Sequence, residues 1–165
     1  METRAPLFAF AGKAFLDPQP EALRPAAEDL GLEDFEHALE GDAADLEREY
    51  VRLFLNPAGA PCPPWQSAQG AEGQLFGDAH HAALAWYRSG GVEANLDGQP
   101  ADHIGLLLTY YAHLLESGAE PEQLERFRAG HLEWMAAYLD GVAAQARHPF
   151  FTLLAAFTRQ LLAAE

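Results

Sequence analysis

Apolar residues recur at the 3.6-residue spacing of an α-helix along most of this chain, and no segment alternates at the two-residue spacing of a strand. That regularity confines the fold to helix packed on helix. Leu7, Phe10, Ala14 and Phe15 share one face, with Pro6 suited to a first turn and Asp17-Pro18 as a stop. Pro20 opens a second helix reaching Leu30, which Pro25 must kink or split and Gly31 terminates. A short helix carries Phe35 and Leu39, and Asp42 caps the next, where Leu46, Tyr50, Leu53 and Phe54 form a stripe ended by Asn56-Pro57. Asp78 is placed to cap a helix running through His81, Leu84, Ala85 and Arg88 to Gly90-Gly91. Pro100 and Asp102 mark the start of the most regular helix, with Ile104, Leu107, Leu108, Tyr111, Leu114 and Leu115 in register until Gly118. Pro121 begins a single helix carrying Leu124, Phe127, His131, Leu132, Met135, Tyr138 and Leu139 to about Gly141. His148-Pro149 starts the last, with Phe150, Leu153, Leu154, Phe157 and Leu161 turned inward.

The expected architecture is all-α, a compact bundle of roughly six to eight helices forming a single domain over residues 1–165. Two connections stand out. Residues 56–73 hold four prolines, several glycines and Trp65, and residues 92–99 form a second irregular stretch.

Charge narrows the partners. The chain carries 25 acidic and 10 basic residues, a formal charge of -15, and Lys13 is its only lysine. A polyanion is repelled by such a field, so nucleic acid and anionic membranes are excluded as partners, whereas a cationic peptide is attracted. No apolar run reaches the ~18 residues that would span a bilayer, so no membrane insertion is expected. The stretch from Leu7 to Leu16 contains Lys13 and lacks a small-residue cleavage site, and is not read as a signal peptide. A lone cysteine, Cys62, rules out an internal disulfide and favours a reducing compartment, the cytoplasm.

Several residue groups are candidates for chemistry. Trp65, presented from the stiff segment Pro61-Cys62-Pro63-Pro64-Trp65, either anchors a ligand or folds back to plug the bundle. Asp102-His103 is either an ordinary first-turn aspartate beside a surface histidine, or a polar pair exposed at a helix mouth and able to take a ligand's backbone or arginine. Seven histidines, with Asp78, His80 and His81 crowded together, raise a metal site, but adjacent histidines diverge by about 100° on a helix, and no HExxH or paired-cysteine motif exists. No metal site is therefore assigned. His113 and His131 read as partly buried core histidines. Cys62 with His103 and Asp102 makes a poor nucleophile triad because neighbouring Asp and His side chains aim apart, and no Gly-rich phosphate loop is present. No catalytic residue is assigned and the chain is not expected to be an enzyme.

Taken in order, Glu49-Tyr50-Val51-Arg52-Leu53-Phe54, Pro63-Pro64-Trp65, Trp86-Tyr87-Arg88-Ser89-Gly90-Gly91, Pro100-Ala101-Asp102-His103-Ile104-Gly105 and His131-Leu132-Glu133-Trp134 resemble the TorD/DmsD/NarJ family. The resemblance covers most of the chain. It implies a cytoplasmic maturation chaperone that binds the twin-arginine signal peptide of a molybdoenzyme catalytic subunit and holds it from export during cofactor loading. It further implies that Asp102 and His103 are the polar pair of the ligand groove, with Pro100 shaping the loop and Trp65 and Tyr87 nearby. Tyr50, Leu53, Phe54, Pro63, Pro64, Gly91 and Ile104 are carried over as motif positions. No cofactor of the chaperone's own is implied, and the state expected is a monomer or a dimer swapped across residues 92–99. Gln66 and Gln69 depart from the Glu and Tyr expected after Pro-Pro-Trp, and Leu107 from an acidic residue, which bears on client choice. The alternatives are a generic helical interaction module, or a histidine-based metal protein.

Overall fold

The computed structural model describes residues 4–70 and 73–165. Among them are nine α-helices: α1 Ala5–Leu16, α2 Pro20–Asp29, α3 Glu33–Ala38, α4 Ala43–Tyr50, α5 Asp78–Ser89, α6 Ile104–Glu116, α7 Pro121–His131, α8 Met135–Gln145 and α9 Pro149–Ala163. The chain leaves α4 through one π turn, Val51–Leu55, and a 3-10 turn spans Gln66–Gln69. The all-helical expectation holds. The helix number exceeds it because the expected continuous helix from Pro121 is two, α7 and α8. At the break, the amides of Leu132 and Glu133 both donate to the Arg128 carbonyl, and the Trp134 indole Nε1 donates to His131 O at 2.7 Å. A side chain thus satisfies a carbonyl that the next helical amide would have taken.

The bundle is organised on α6, which is buried on nearly every side and packed along α1. Their closest approach is glycine on glycine: a Cβ at Gly105 would lie 2.5 Å from Leu16 Cγ and 2.6 Å from the Gly12 carbonyl oxygen. Only hydrogen fits there, so these two glycines set the distance between the helices. Around this pair runs a chain of aromatic edges. Phe8 meets Tyr111 at 4.9 Å, Phe35 meets Phe10 at 5.0 Å and Phe157 at 5.1 Å, and Phe54 meets Phe151 at 5.6 Å. Each such ring contributes roughly 2–3 kcal/mol by leaving water. Pro25 does not split its helix, because α2 runs through it unbroken.

The Tyr50, Leu53 and Phe54 motif belongs to this core rather than to a ligand surface. Leu53 and Phe54 are buried, and the Tyr50 hydroxyl donates to the Phe15 and Leu16 carbonyls at 2.8 and 3.0 Å, closing the end of α1. Glu49 in the same motif is 8 % exposed. Its carboxylate accepts from Arg52 Nε at 2.6 Å and from the amides of Arg147 and His148 at 2.6 and 2.7 Å, fastening α4 to the α8–α9 turn. Burial works to raise its pKa, but the Arg52 guanidinium and the two amides outweigh it and hold the carboxyl below its usual range. No helix among the described residues is long and apolar enough to cross a membrane.

Candidate functional site

Beyond the π turn the proline-rich chain re-enters the bundle. The Cys62 amide donates to Leu53 O at 2.9 Å, and the Tyr138 hydroxyl donates to Cys62 O at 3.0 Å, so the loop begins on fixed ground. Burial raises the Cys62 thiol, which leaves it protonated and packed rather than nucleophilic. Residues 64–66 then run antiparallel beside 102–104. Ile104 N donates to Pro64 O at 2.8 Å, Trp65 and His103 form an isolated antiparallel bridge, and Gln66 N donates to Asp102 O at 3.0 Å. Pro63 and Pro64 have no N–H to satisfy, so at its start the segment offers a carbonyl, Pro64 O, and its amides come into play only from Gln66 onward.

From the other side α5 holds the preceding residues. The Tyr87 hydroxyl donates to Ala101 O at 2.7 Å, and the Ala101 amide donates to His80 Nδ1 at 2.8 Å. Pro100 is buried between them. The third wall is the end of α7, where Gln66 Nε2 donates to Gly130 O at 2.9 Å and His131 Nδ1 meets Gln66 Oε1 at 2.9 Å. Since an amide oxygen only accepts, His131 carries its hydrogen on Nδ1.

Asp102 lies at the centre of these walls and is 0 % exposed, with His103 at 2 %. The expected polar pair exposed at a helix mouth is therefore corrected: both side chains are inside, because the proline-rich loop is laid across them. Asp102 is not in the first turn of α6 either. The helix starts at Ile104, and His103 is its cap, accepting from Gly105 N at 2.9 Å through Nδ1. The Asp102 carboxylate turns away to the loop, where Oδ2 accepts from the Ser67 amide at 2.7 Å and from the Ser67 hydroxyl. Among the described residues its other oxygen, Oδ1, is buried with no hydrogen-bond partner, and so is the indole Nε1 of Trp65. A buried acceptor left without a donor costs roughly 1–3 kcal/mol, more when charged, so a donor brought to Oδ1 would be strongly favoured.

The electrostatics follow from burial. His103 is pushed down to about 4 by loss of solvent, so its imidazole is neutral at neutral pH and forms no ion pair with Asp102. His80 is lowered by burial and then by His81, against an opposing pull from Asp102. His131 is lowered by burial, again with Asp102 opposing. His80 and His103 both accept a backbone amide at Nδ1, a bond their protonated forms would lose. Among the described residues no group of three or more His, Cys, Asp or Glu side chains is arranged to hold a metal ion.

Two concavities flank the centre. A groove of about 480 Å³ is lined by Ser67, Phe76, Asp78 and His81, with Leu75 and Phe76 exposed on the same loop. An apolar pocket of about 330 Å³ lies behind Tyr87, between Val92, Ala94, Leu106 and Tyr110. Trp65, Tyr87, Pro100, Asp102 and His103 are thus gathered around one four-residue segment. Trp65 contacts His103 edge-on at 5.9 Å, half way between the anchor and the plug, since the residue is only partly buried. Gly91 sits apart as the left-handed residue (φ +69°) ending α5. Asp78 is not a cap, because Gly77 holds that position. The buried face of α5 is His80, Ala83 and Tyr87, and a face containing a histidine and a tyrosine gives weak hydropathy contrast. Ser67 and Gln66, which fasten the loop, carry no sequence signal beyond their place after Pro-Pro-Trp.

Residues 19–156 match the family described as nitrate reductase delta subunit. The Tat proofreading chaperone DmsD of Salmonella paratyphi A is 37% identical over 121 residues, 72% of this chain and 59% of that protein. The chaperone protein TorD of Shewanella piezotolerans is 29% identical over 123 residues, 69% of this chain and 57% of its own length. The chain therefore spans less than two thirds of the length of these curated relatives. A solved structure of a candidate redox enzyme maturation protein from Archaeoglobus fulgidus superposes with a TM-score of 0.81 at 26% identity, covering 99% of this chain and 96% of that one. Fold, ordered motifs and family match agree, and the chain belongs to the nitrate reductase delta subunit family, the NarJ/TorD group.

Proposed function

We propose that this protein is a non-enzymatic redox-enzyme maturation chaperone that acts in the cytoplasm and binds the twin-arginine signal peptide of a molybdoenzyme catalytic subunit. The observation that carries the reading is Asp102: a wholly buried carboxylate whose Oδ1 has no partner among the described residues, behind a groove walled by Ser67, in a chain of formal charge -15. A guanidinium is the donor that matches such an oxygen in both charge and planar geometry. The flanking apolar surface of Leu75 and Phe76 suits the apolar stretch that follows the arginines. The names of the relatives, Tat proofreading chaperone and chaperone protein, support the same role.

Pro100 and Tyr87 act here by position. Tyr87 holds Ala101 from α5, and with Pro100 buried behind it the backbone delivers Asp102 and His103 at fixed depth. His103, neutral and bonded to Gly105, caps α6 and lines the site without adding charge.

Calorimetric titration tests the reading, using a twin-arginine signal peptide beside a variant with both arginines replaced by lysine. Binding of the arginine peptide at least ~10-fold tighter, and weakening as salt rises, is the expected result. A generic helical interaction module would bind both peptides alike.

A further inference from the structure

The least explained contact in the molecule is the one between Ser67 and Asp102. Ser67 places two donors, its amide at 2.7 Å and its hydroxyl, on the same carboxylate oxygen, while Oδ1 keeps none. Serine also stands at a boundary. The chain before it is pinned by Pro64 and Gln66 to Ile104, Asp102 and Gly130. After it, Ala68 is half-buried with its amide on Trp65 O at 3.1 Å and Gln69 Nε2 donates to Pro63 O and Trp65 O at 2.7 and 3.0 Å, whereas Gly70 and 73–76 are exposed, and Phe76 has a left-handed φ of 59° that a bulky side chain adopts only under constraint. Ser67 also forms part of the wall of the 480 Å³ groove, so it stands between that groove and Asp102.

We infer that Ser67 is an internal competitor for Asp102: it occupies one carboxylate oxygen in the free protein, and an arginine entering from the groove takes Oδ1 and displaces Ser67 from Oδ2, after which both oxygens face one guanidinium. The inference rests on the arginine-peptide reading above and adds to it a device that sets affinity. Two neutral donors give way to a planar, charged, two-pronged one, and the exchange leaves no acceptor unmade on the carboxylate. Only Ser67 has to leave Oδ2, while Pro64, Trp65 and Gln66 stay paired with 102–104, so the carboxylate is freed without unfolding its support. Asp78, on the same groove at the first residue of α5, is a second carboxylate within the concavity.

The experiment compares wild type, Ser67→Ala and Ser67→Thr in calorimetric titration with the twin-arginine peptide, together with hydrogen exchange at the Ser67 amide in wild type with and without that peptide. Removing the competing hydroxyl should tighten binding by roughly 5- to 10-fold in Ser67→Ala, with Ser67→Thr close to wild type. The Ser67 amide, losing its acceptor, should exchange faster in the complex although the peptide covers the site. Wild-type binding with an unchanged or weaker Ser67→Ala, or a Ser67 amide protected by peptide, would overturn the competitor and leave the chaperone reading standing. Absence of binding by wild type and both variants would overturn the two together.

Discussion

The α1–α6 contact and the corner around Asp102 are built on opposite principles. At the first, two glycines bring the helices together, and the space about them is filled by rings such as Phe8 and Tyr111. At the second, Asp102 and His103 lie under a proline-rich loop with His80, Tyr87 and His131 walling them in, and among the described residues two buried polar atoms have no partner. One region gains stability from every contact. The other gives up stability to keep a carboxylate dry, and in such a low-dielectric setting the charged ligand proposed above would be held more strongly than in water. The two meet at the start of α6, where the cap His103 belongs to the polar corner and Gly105 to the packed one.

The sharpest way to break this contrast is to crowd the packed region. Gly105→Leu places a side chain against Leu16 and the Gly12 carbonyl, and should cost more than about 3 kcal/mol or prevent folding, read by chemical denaturation. A loss below about 1 kcal/mol would show that the helix spacing is set elsewhere.

The next effect belongs to the polar corner and depends on pH. His103 is lowered in the folded state from 6.5 to about 4, so between those values the unfolded chain binds a proton that the folded one does not. Stability is therefore full above pH 6.5 and falls as pH drops toward 4, by up to about 3 kcal/mol from this group. His80 and His131, lowered as well, add in the same direction. Denaturation midpoints of wild type and His103→Gln across pH 4 to 7 check this. The variant carries a constant penalty for the weakened cap, but its slope should be shallower. Parallel curves would contradict a buried neutral histidine.

Much of the scaffold was legible because packed helices write their period into the sequence. The apolar stripe of Ile104, Leu107, Leu108, Tyr111 and Leu114 placed the body of α6, although Pro100 and Asp102 lie before its start at Ile104, and Gly31, Gly91 and Gly118 ended helices with the left-handed φ that their positions require. The break between α7 and α8 was not legible. Phe127, His131, Met135 and Leu139 keep helical spacing across it, and the interruption depends on where the Trp134 indole finds a carbonyl. The site residues were named from ordered motifs, but their depth was not. Whether Asp102 is exposed depends on a loop that crosses it from 35 positions away, and no local pattern encodes that docking. His80 was passed over for His81 because polar residues on a buried face leave no periodic trace.

Whether Asp102 receives an arginine is decided by a double-mutant cycle between Asp102→Asn and replacement of the peptide arginines by lysine, with affinities from calorimetry. Each change alone should weaken binding, and the two together should cost far less than their sum, a coupling of roughly tenfold or about 1.4 kcal/mol. Independent effects that simply add, with Asp102→Asn still preferring arginine as strongly as wild type, would contradict it.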